Sequence, residues 1–168
     1  QSGGGLALDL ASHALDIIDF LLGPLEDVHG TAANLASAHP LEDSLTISFR
    51  AGATPGIGIW NFAASESLDM LLVTGTEARV QLSVFGNEPI RLLRAGSATE
   101  IERSNPQHIQ QPLIQTVIDD LLGRGACAST GESAARTSRV LDQALAGYYG
   151  GRDDEFWLRL DAWPGRRR

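Results

Sequence analysis

The hydrophobic and polar positions of residues 6–22 follow the 3.6-residue repeat of one amphipathic α-helix. Steps of three and four residues bring side chains to one face of a helix. The predicted apolar side consists of Leu6, Leu10, Ala14, Ile17, Ile18 and Leu21. On the other side, the spacing brings Asp9, His13 and Asp16 together, and the segment contains no Arg, Lys, Glu or Gln. The polar face is therefore narrow, and its side chains can carry protons.

After Gly23-Pro24, which ends this helix, the period of the pattern changes from 3.6 to 2. Residues 45–49 alternate strictly between apolar and polar, as in a strand with one solvated face. Further strands are predicted at residues 57–62, 67–73, 78–85, 90–94 and 99–102, with turns between them. Such a run of hairpins predicts a largely antiparallel open sheet of about six strands. Helices should cover one face, and apolar side chains on the other face indicate a partner surface.

Two more helices are predicted after the break at residues 104–106. The first covers residues 109–122, with Pro112 in its first turn. Its expected buried side consists of Leu113, Ile114, Val117, Ile118, Leu121 and Leu122. The second follows a capping-box signature, Ser129-Thr-Gly-Glu132, and runs to about Tyr149. The fold class is thus α+β, in a single domain over residues 1–168 whose last part, residues 152–168, is an extended tail.

Composition and charge narrow the classes of partner. The net charge of -8 disfavours nucleic acid and anionic membranes, and no apolar run is long enough to span a bilayer. Cys127 is the single cysteine, which fits a reducing compartment, and we expect a cytoplasmic protein. The chain opens at Gln1 in what resembles the middle of a loop, so we expect a fragment. All 13 basic residues are arginine, so lysine chemistry must come from outside this chain.

Two other ligand sites can be weighed from the residues. The glycines of residues 3–5 could hold a phosphate at a helix N-terminus, but the dinucleotide fingerprint is incomplete and no strand precedes them. The alternative is a flexible turn that lets the backbone pass close to another group. Asp9 and His13 could bind a metal ion, but two ligands without a third nearby argue against zinc, and we expect no metal site.

The helical run GGG-L-x-x-D-x-x-x-H-x-x-D, ending in Leu-Gly-Pro, resembles the glucose–fructose oxidoreductase, inositol dehydrogenase and MocA group of oxidoreductases. The resemblance continues through Gly75-Thr-Glu77 between two strands, although Ala78 stands where the family usually has Gly. It continues through Pro112-Leu-Ile, Ser129-Thr-Gly-Glu132 and Tyr148-Tyr149, and so covers nearly the whole chain. The order and spacing of these segments are more specific than any one of them.

The resemblance implies the second domain of a two-domain enzyme, with the α+β sheet fold seen in the C-terminal domain of glyceraldehyde-3-phosphate dehydrogenase. An N-terminal Rossmann domain, absent here, would bind NAD or NADP and supply a lysine. On the family pattern His13 is the proton acceptor or donor, and Asp9 binds the substrate or orients the imidazole. Asp16 and His108 are weaker candidates for substrate binding. The substrate would be a sugar, a polyol or a related small molecule.

Three hypotheses remain open at this stage. In the first, the chain is the substrate-binding and oligomerisation domain of such an enzyme, a homodimer or homotetramer through its sheet face. This fragment alone would then be inactive and would bind no cofactor. In the second, the chain is a non-catalytic dimerisation or interaction module. In the third, residues 3–5 bind a phosphate or a nucleotide.

Overall fold

The structure is a computed structural model that describes residues 5–150. In chain order its elements are a π-helical segment (Ala7–Ala11), α1 (Ser12–Leu22), β1 (Leu25–Ala33), β2 (Ser44–Ala51), β3 (Thr54–Asn61), β4 (Leu71–Thr74), β5 (Arg79–Leu82), β6 (Ile90–Arg94), β7 (Ser97–Ile101), α2 (Gln111–Leu121) and α3 (Gly131–Tyr149). They form two compact units, here called unit 1 (residues 5–65 and 130–150) and unit 2 (residues 66–129). The tail predicted at residues 152–168 lies outside the described residues, as do Gly3 and Gly4.

Unit 1 is an antiparallel sheet in the order β1-β2-β3, covered by helices. Along β2, Leu45, Ile47 and Phe49 are buried while the residues between them are exposed, as the alternating pattern predicts. The helix α3 packs on β1, and α1 packs on α3. The core therefore lies between one face of the sheet and the two helices.

The close approach of α3 to β1 depends on a glycine. A Cβ atom at Gly30 would lie only 2.6 Å from the Cα atom of Ala144 in α3. Because Gly30 carries only a hydrogen atom here, the backbone of Ala144 can approach the strand this closely. Small side chains at this crossing thus set the distance between helix and sheet.

The first helix differs from its prediction in shape and in the side that it buries. Residues Ala7–Ala11 form a π-helical segment before α1, so the turn is wider than the 3.6-residue repeat assumes. Ala7, Ala11 and Leu15 are buried in the core, whereas Leu6 and Leu21, which belong to the predicted apolar side, are exposed. Ala14 and Ile18, in the middle of the predicted apolar side, are buried, so the pattern departs from the structure only towards its two ends.

The N-cap of α3 lies one residue later in the chain than the sequence predicts. Thr130 is the N-cap, and its side chain accepts a hydrogen bond from the Ser133 backbone N–H at 3.3 Å. The Ser133 hydroxyl accepts from the Thr130 backbone N–H at 2.9 Å, which completes the reciprocal box. The capping box is therefore present with Thr130 and Ser133 in place of Ser129 and Glu132.

Unit 2 is a second antiparallel sheet, in the order β4-β5-β6-β7, followed by α2. The sequence predicted that the apolar side of α2 is buried, but no residue of α2 is buried. That prediction was wrong because an amphipathic pattern identifies the side that favours a partner, and it does not require this chain to provide one.

The α+β class and the antiparallel pairing are confirmed, although the strands divide between two sheets. The break falls after β3, where the side-chain oxygen of Asn61 accepts a hydrogen bond from the Ala63 N–H at 3.0 Å. An asparagine that bonds to the backbone two residues on turns the chain away from a strand. The next strand begins only at Leu71. The assignment of residues 1–168 to one domain stays a prediction.

Candidate functional site

Asp9 lies at a groove of about 440 Å³ in unit 1. The π-helical segment, the loop of residues 34–43 between β1 and β2, and the residues just after β3 form its walls. The lining residues are Gly5, Leu6, Asp9, Ala36, Ser37, His39, Leu41, Glu42, Asp43, Phe62 and Ala63. The structure thus gives one of the predicted site residues a concave surface of the size that holds small molecules.

A serine three residues further along the chain stabilises the backbone at Asp9. The hydroxyl of Ser12 donates a hydrogen bond to the Asp9 carbonyl oxygen at 2.5 Å. This contact bridges the junction between the π-helical segment and α1. Single turns of π-helix often occur at functional sites, because they re-aim side chains that a regular helix would place elsewhere.

His13 follows Asp9 on the next helical turn, at the start of α1. His13 is exposed, whereas the adjacent Ala14 and Leu15 are buried in the core. The groove lining includes Asp9, whereas His13 lies further along the same exposed side of the helix. The pairing of a carboxylate and an imidazole on one side of this helix agrees with the predicted ridge, and their catalytic roles stay predictions.

Neither of the two weaker candidates is among the residues that line the groove. Asp16 is half-buried, and its carboxylate accepts a hydrogen bond from the Thr137 hydroxyl of α3 at 3.0 Å. That contact joins the two helices. His108 belongs to unit 2, where its carbonyl oxygen accepts from the Gln111 N–H at 3.0 Å as α2 begins. Substrate binding by either residue stays a prediction.

The loop that carries Ser37 and His39 is fixed by the carboxylate of Asp43. Its two oxygens accept backbone hydrogen bonds from Leu35 (2.7 Å), Ala36 (2.8 Å) and Ser37 (2.8 Å). These bonds to the ionised form, first of all that from Leu35, lower the pKa of Asp43 from its usual value. A buried carboxylate therefore holds this wall of the groove in one conformation.

Sequence reasoning missed most of this wall. The sequence pattern indicates no role for Ser37, His39 or Phe62. One signal was available: Glu42 and Asp43 are two adjacent acids that stand just before the strictly alternating strand. Both are buried, and buried carboxylates require partners, so the pair marks a tightly bonded region.

The lining determines what the groove can bind. Carboxylate, imidazole and hydroxyl groups can exchange hydrogen bonds with a polyhydroxylated molecule, while Leu41 and Phe62 offer apolar surface. The lining includes the three carboxylates of Asp9, Glu42 and Asp43, whose negative charge disfavours the pyrophosphate of a dinucleotide. Among residues 5–150 there is no group of three or more side chains that could hold a metal ion. Nor is any helix of that part long and apolar enough to cross a membrane.

Comparison with solved structures identifies the fold. An oxidoreductase from Agrobacterium radiobacter, solved with NAD+, L-tartaric acid and magnesium, matches with a TM-score of 0.73 at 18% identity, over 90% of this chain and 49% of that one. The WlbA dehydrogenase of Bordetella pertussis, solved with NADH and UDP-GlcNAcA, matches with a TM-score of 0.67 at 19% identity, over 88% of this chain and 46% of that one. The chain therefore has a fold found in nicotinamide-dependent oxidoreductases.

Sequence comparison adds a likeness to one protein family over part of the chain. Residues 1–81 match the GFO/IDH/MocA C-terminal domain, which confirms the resemblance seen in the motifs. Oxidoreductase P35 of Formosa agariphila is 26% identical over 141 residues, which are 84% of this chain and 43% of that protein. The likeness to the GFO/IDH/MocA C-terminal domain thus covers residues 1–81, and the chain spans about half the length of the relatives that it matches.

Proposed function

We propose that this chain is the substrate-binding part of an NAD(P)-dependent oxidoreductase. The enzyme would act on a hydroxyl or carbonyl group of a sugar, a polyol or a related small molecule. The observation that carries the proposal is the position of Asp9 at a groove, with His13 on the next turn of the same helix, in a segment that matches the GFO/IDH/MocA C-terminal domain. The class of substrate and the roles of Asp9 and His13 in the reaction are part of this proposal.

Each residue has a task that suits its chemistry. Oxidation of a hydroxyl group releases a proton, and reduction of a carbonyl group consumes one. Imidazole is the side chain best suited to exchange a proton near neutral pH, so His13 is the acceptor in one direction and the donor in the other. Asp9 accepts a hydrogen bond from a substrate hydroxyl and thereby fixes the orientation of the sugar or polyol in the groove.

NAD or NADP would be held by a part of the full-length enzyme outside this chain, since the negative charge of the groove disfavours a dinucleotide. An N-terminal Rossmann domain is the expected partner, and it would also supply the lysine that the chain lacks. The 168 residues alone are therefore expected to be inactive and to bind no cofactor. A cytoplasmic location, expected from the single cysteine, belongs to the same proposal.

A substrate screen of the full-length protein tests the class of reaction. The purified enzyme is incubated with NAD+ or NADP+ and a panel of neutral polyols, aldoses and amino sugars, and NAD(P)H formation is followed by absorbance. We expect reduction of the cofactor with at least one polyhydroxylated compound. Failure to reduce either cofactor with any compound, together with failure to bind NADH in a fluorescence titration, would contradict the proposal.

A non-catalytic dimerisation module is the second candidate, and one observation favours it. On the face of the unit 1 sheet opposite the helices, Ile57 is 78% exposed and Ile59 is 69% exposed. Exposed apolar side chains on one face favour burial against another protein surface. The two candidates are compatible, because a homodimer or homotetramer through this sheet face could also be an enzyme.

A further inference from the structure

The helix that carries Asp9 begins without a cap of its own. Leu6 occupies the N-cap position and has no side-chain acceptor. The first backbone N–H groups of a helix have no partner within it, and a neighbouring Ser, Thr, Asp or Asn usually accepts from one of them. In α3 Thr130 does so. At the start of the π-helical segment the acceptor must come from elsewhere in the chain.

Glu42 supplies that acceptor from a distant point in the sequence. One carboxylate oxygen, Oε2, accepts from the Gly5 N–H at 3.0 Å, and Oε1 accepts from the Leu8 N–H at 3.4 Å. Glu42 is only 2% exposed, so water competes little for these bonds. A negative charge at a helix N-terminus is also favoured by the helix dipole.

A third donor ties the same carboxylate to the other helix of unit 1. The hydroxyl of Tyr149, the last residue of α3, donates to Oε2 of Glu42. Burial, and then this hydrogen bond, raise the pKa of Tyr149 above its usual value, so the hydroxyl keeps its proton. The carboxylate therefore joins the start of the π-helical segment to the end of α3.

Gly5 shows how closely the parts fit. A Cβ atom at this position would lie 2.5 Å from both the carboxyl carbon and Oε2 of Glu42, which is too close for any side chain. The glycine-led entry to the helix therefore has a specific use at its last residue. It lets the backbone N–H of Gly5 reach the carboxylate.

We propose that Glu42 is a positioning residue for the proposed reaction. Its carboxylate fixes the first turn of the helix, and through that turn it fixes Asp9 at the groove. The effect on turnover rests on the proposed function, whereas the effect on the helix does not. A loose first turn would let Asp9 sample several positions at the groove, and small displacements of a substrate-orienting group reduce turnover strongly.

Hydrogen exchange by mass spectrometry on the full-length protein tests the structural half. In Glu42→Ala we expect amide exchange in residues 5–11 to accelerate on the order of tenfold or more, since hydrogen bonds to a charged acceptor are lost. Asp19→Ala is the matched control. It removes a carboxylate of α1 that is equally buried and that pairs with Arg136 of α3 at 2.6 Å, away from the first turn. It should leave exchange in residues 5–11 unchanged.

Tyr149→Phe keeps the proposal testable if Glu42→Ala does not fold. This variant retains the carboxylate and its backbone bonds and removes only the hydroxyl, so a smaller acceleration over the same residues is expected. Wild-type exchange in residues 5–11 of the folded Glu42 or Tyr149 variants would overturn the proposal. Equal acceleration in Asp19→Ala would also overturn it, because the effect would then reflect general loss of stability.

Steady-state kinetics test the other half, using the compound that the substrate screen identifies. In Glu42→Ala we expect kcat to fall about 10- to 100-fold per folded molecule, with a smaller change in KM. Glu42→Gln, which keeps the shape and one acceptor oxygen, should fall between Glu42→Ala and wild type. An unchanged kcat in Glu42→Ala would overturn the positioning role. If the wild-type enzyme turns over nothing, the proposed function fails, and hydrogen exchange still decides whether Glu42 holds the turn.

Discussion

At the scale of single residues, two adjacent carboxylates before β2 organise the groove in different ways. Glu42 accepts hydrogen bonds from the start of the helix and from Tyr149. Asp43 accepts from three backbone N–H groups of the loop that carries Ser37 and His39. Both charges are buried, and each is stabilised by the donors around it. Two walls of one groove thus depend on neighbouring residues.

Asp43→Asn should destabilise the protein in a pH-dependent way. The Leu35 N–H and its neighbours favour the ionised form and lower the pKa of Asp43 in the folded state. The stability that this carboxylate contributes is therefore present at neutral pH, and it is lost as the pH falls from about 4 through the lower folded-state pKa. Urea midpoints measured across this range should show the wild type and the variant converging at the acid end.

The control for this prediction is Glu66→Gln, which removes an exposed carboxylate of unit 2. Its midpoint should follow that of the wild type at every pH. A difference between Asp43→Asn and the wild type that stays constant down to the acid end would contradict the assigned role of the charge.

At the scale of secondary-structure elements, the face that each helix buries decides the packing of unit 1. The π-helical segment and α1 bury Ala7, Ala11 and Leu15, while Asp9 and His13 stay on the exposed side. The guanidinium of Arg136 in α3 donates two hydrogen bonds to the Asp19 carboxylate, at 2.6 and 3.0 Å, in a bidentate ion pair. The same rotation of the helix that buries these alanines presents Asp9 to the groove.

Leu15→Ala should therefore destabilise the protein by about 2–5 kcal/mol, the usual loss for a large buried aliphatic side chain. Leu15 is fully buried, whereas Leu21, which belongs to the predicted apolar side, is 53% exposed. Leu21→Ala should cost less than about 1 kcal/mol. Free energies of unfolding from urea titration measure both. A larger loss in Leu21→Ala than in Leu15→Ala would mean that the helix buries the other side.

Gly30→Ala tests the close contact between β1 and α3. The added methyl group would lie 2.6 Å from the Cα atom of Ala144, so the helix must move, and we expect a loss of about 1–3 kcal/mol. Gly147→Ala is the matched control, because its Cβ would meet open space within α3. It should stabilise the helix by about 0.5–1 kcal/mol. Equal effects of the two substitutions on thermal unfolding would contradict the packing described.

Much of this arrangement can be predicted from the sequence, and the exceptions have physical causes. Alternation at residues 45–49 identified β2, because one face of that strand is dry and the other is wet. The π-helical segment was missed because the repeat of a regular helix was assumed. The groove wall was missed because Asp43 stabilises a loop through backbone bonds, and such bonds leave no periodic pattern. The partnership of Gly5 with Glu42 joins residues far apart in the chain, which a local pattern cannot show.

At the scale of the whole molecule, apolar side chains are exposed that the rest of the described chain does not cover. Ile57 and Ile59 stand on the outer face of the unit 1 sheet, and α2 of unit 2 exposes an apolar side. The relatives are about twice as long as this chain. Both facts favour a larger assembly, in which the proposed nucleotide-binding domain and further copies of the chain contribute surfaces of their own.

Ile59→Glu should dissociate the proposed homodimer or homotetramer of the full-length protein. A charge placed on the outer sheet face would be buried without a partner on association. Leu121→Glu is the control, because Leu121 is equally apolar and 82% exposed but belongs to α2. Analytical ultracentrifugation should show smaller particles for Ile59→Glu only. A monomeric wild type, or dissociation by Leu121→Glu alone, would contradict an interface through this sheet.

His13 is proposed to exchange the proton of the reacting oxygen in the full-length oxidoreductase. The most direct test is the single-turnover rate of NAD(P)H formation by the full-length enzyme, with cofactor and substrate saturating. In His13→Ala the account predicts a rate lower by on the order of 100-fold or more, with cofactor affinity unchanged. His29→Ala, which removes an exposed histidine of β1, should keep the wild-type rate. A wild-type rate in His13→Ala would contradict the account.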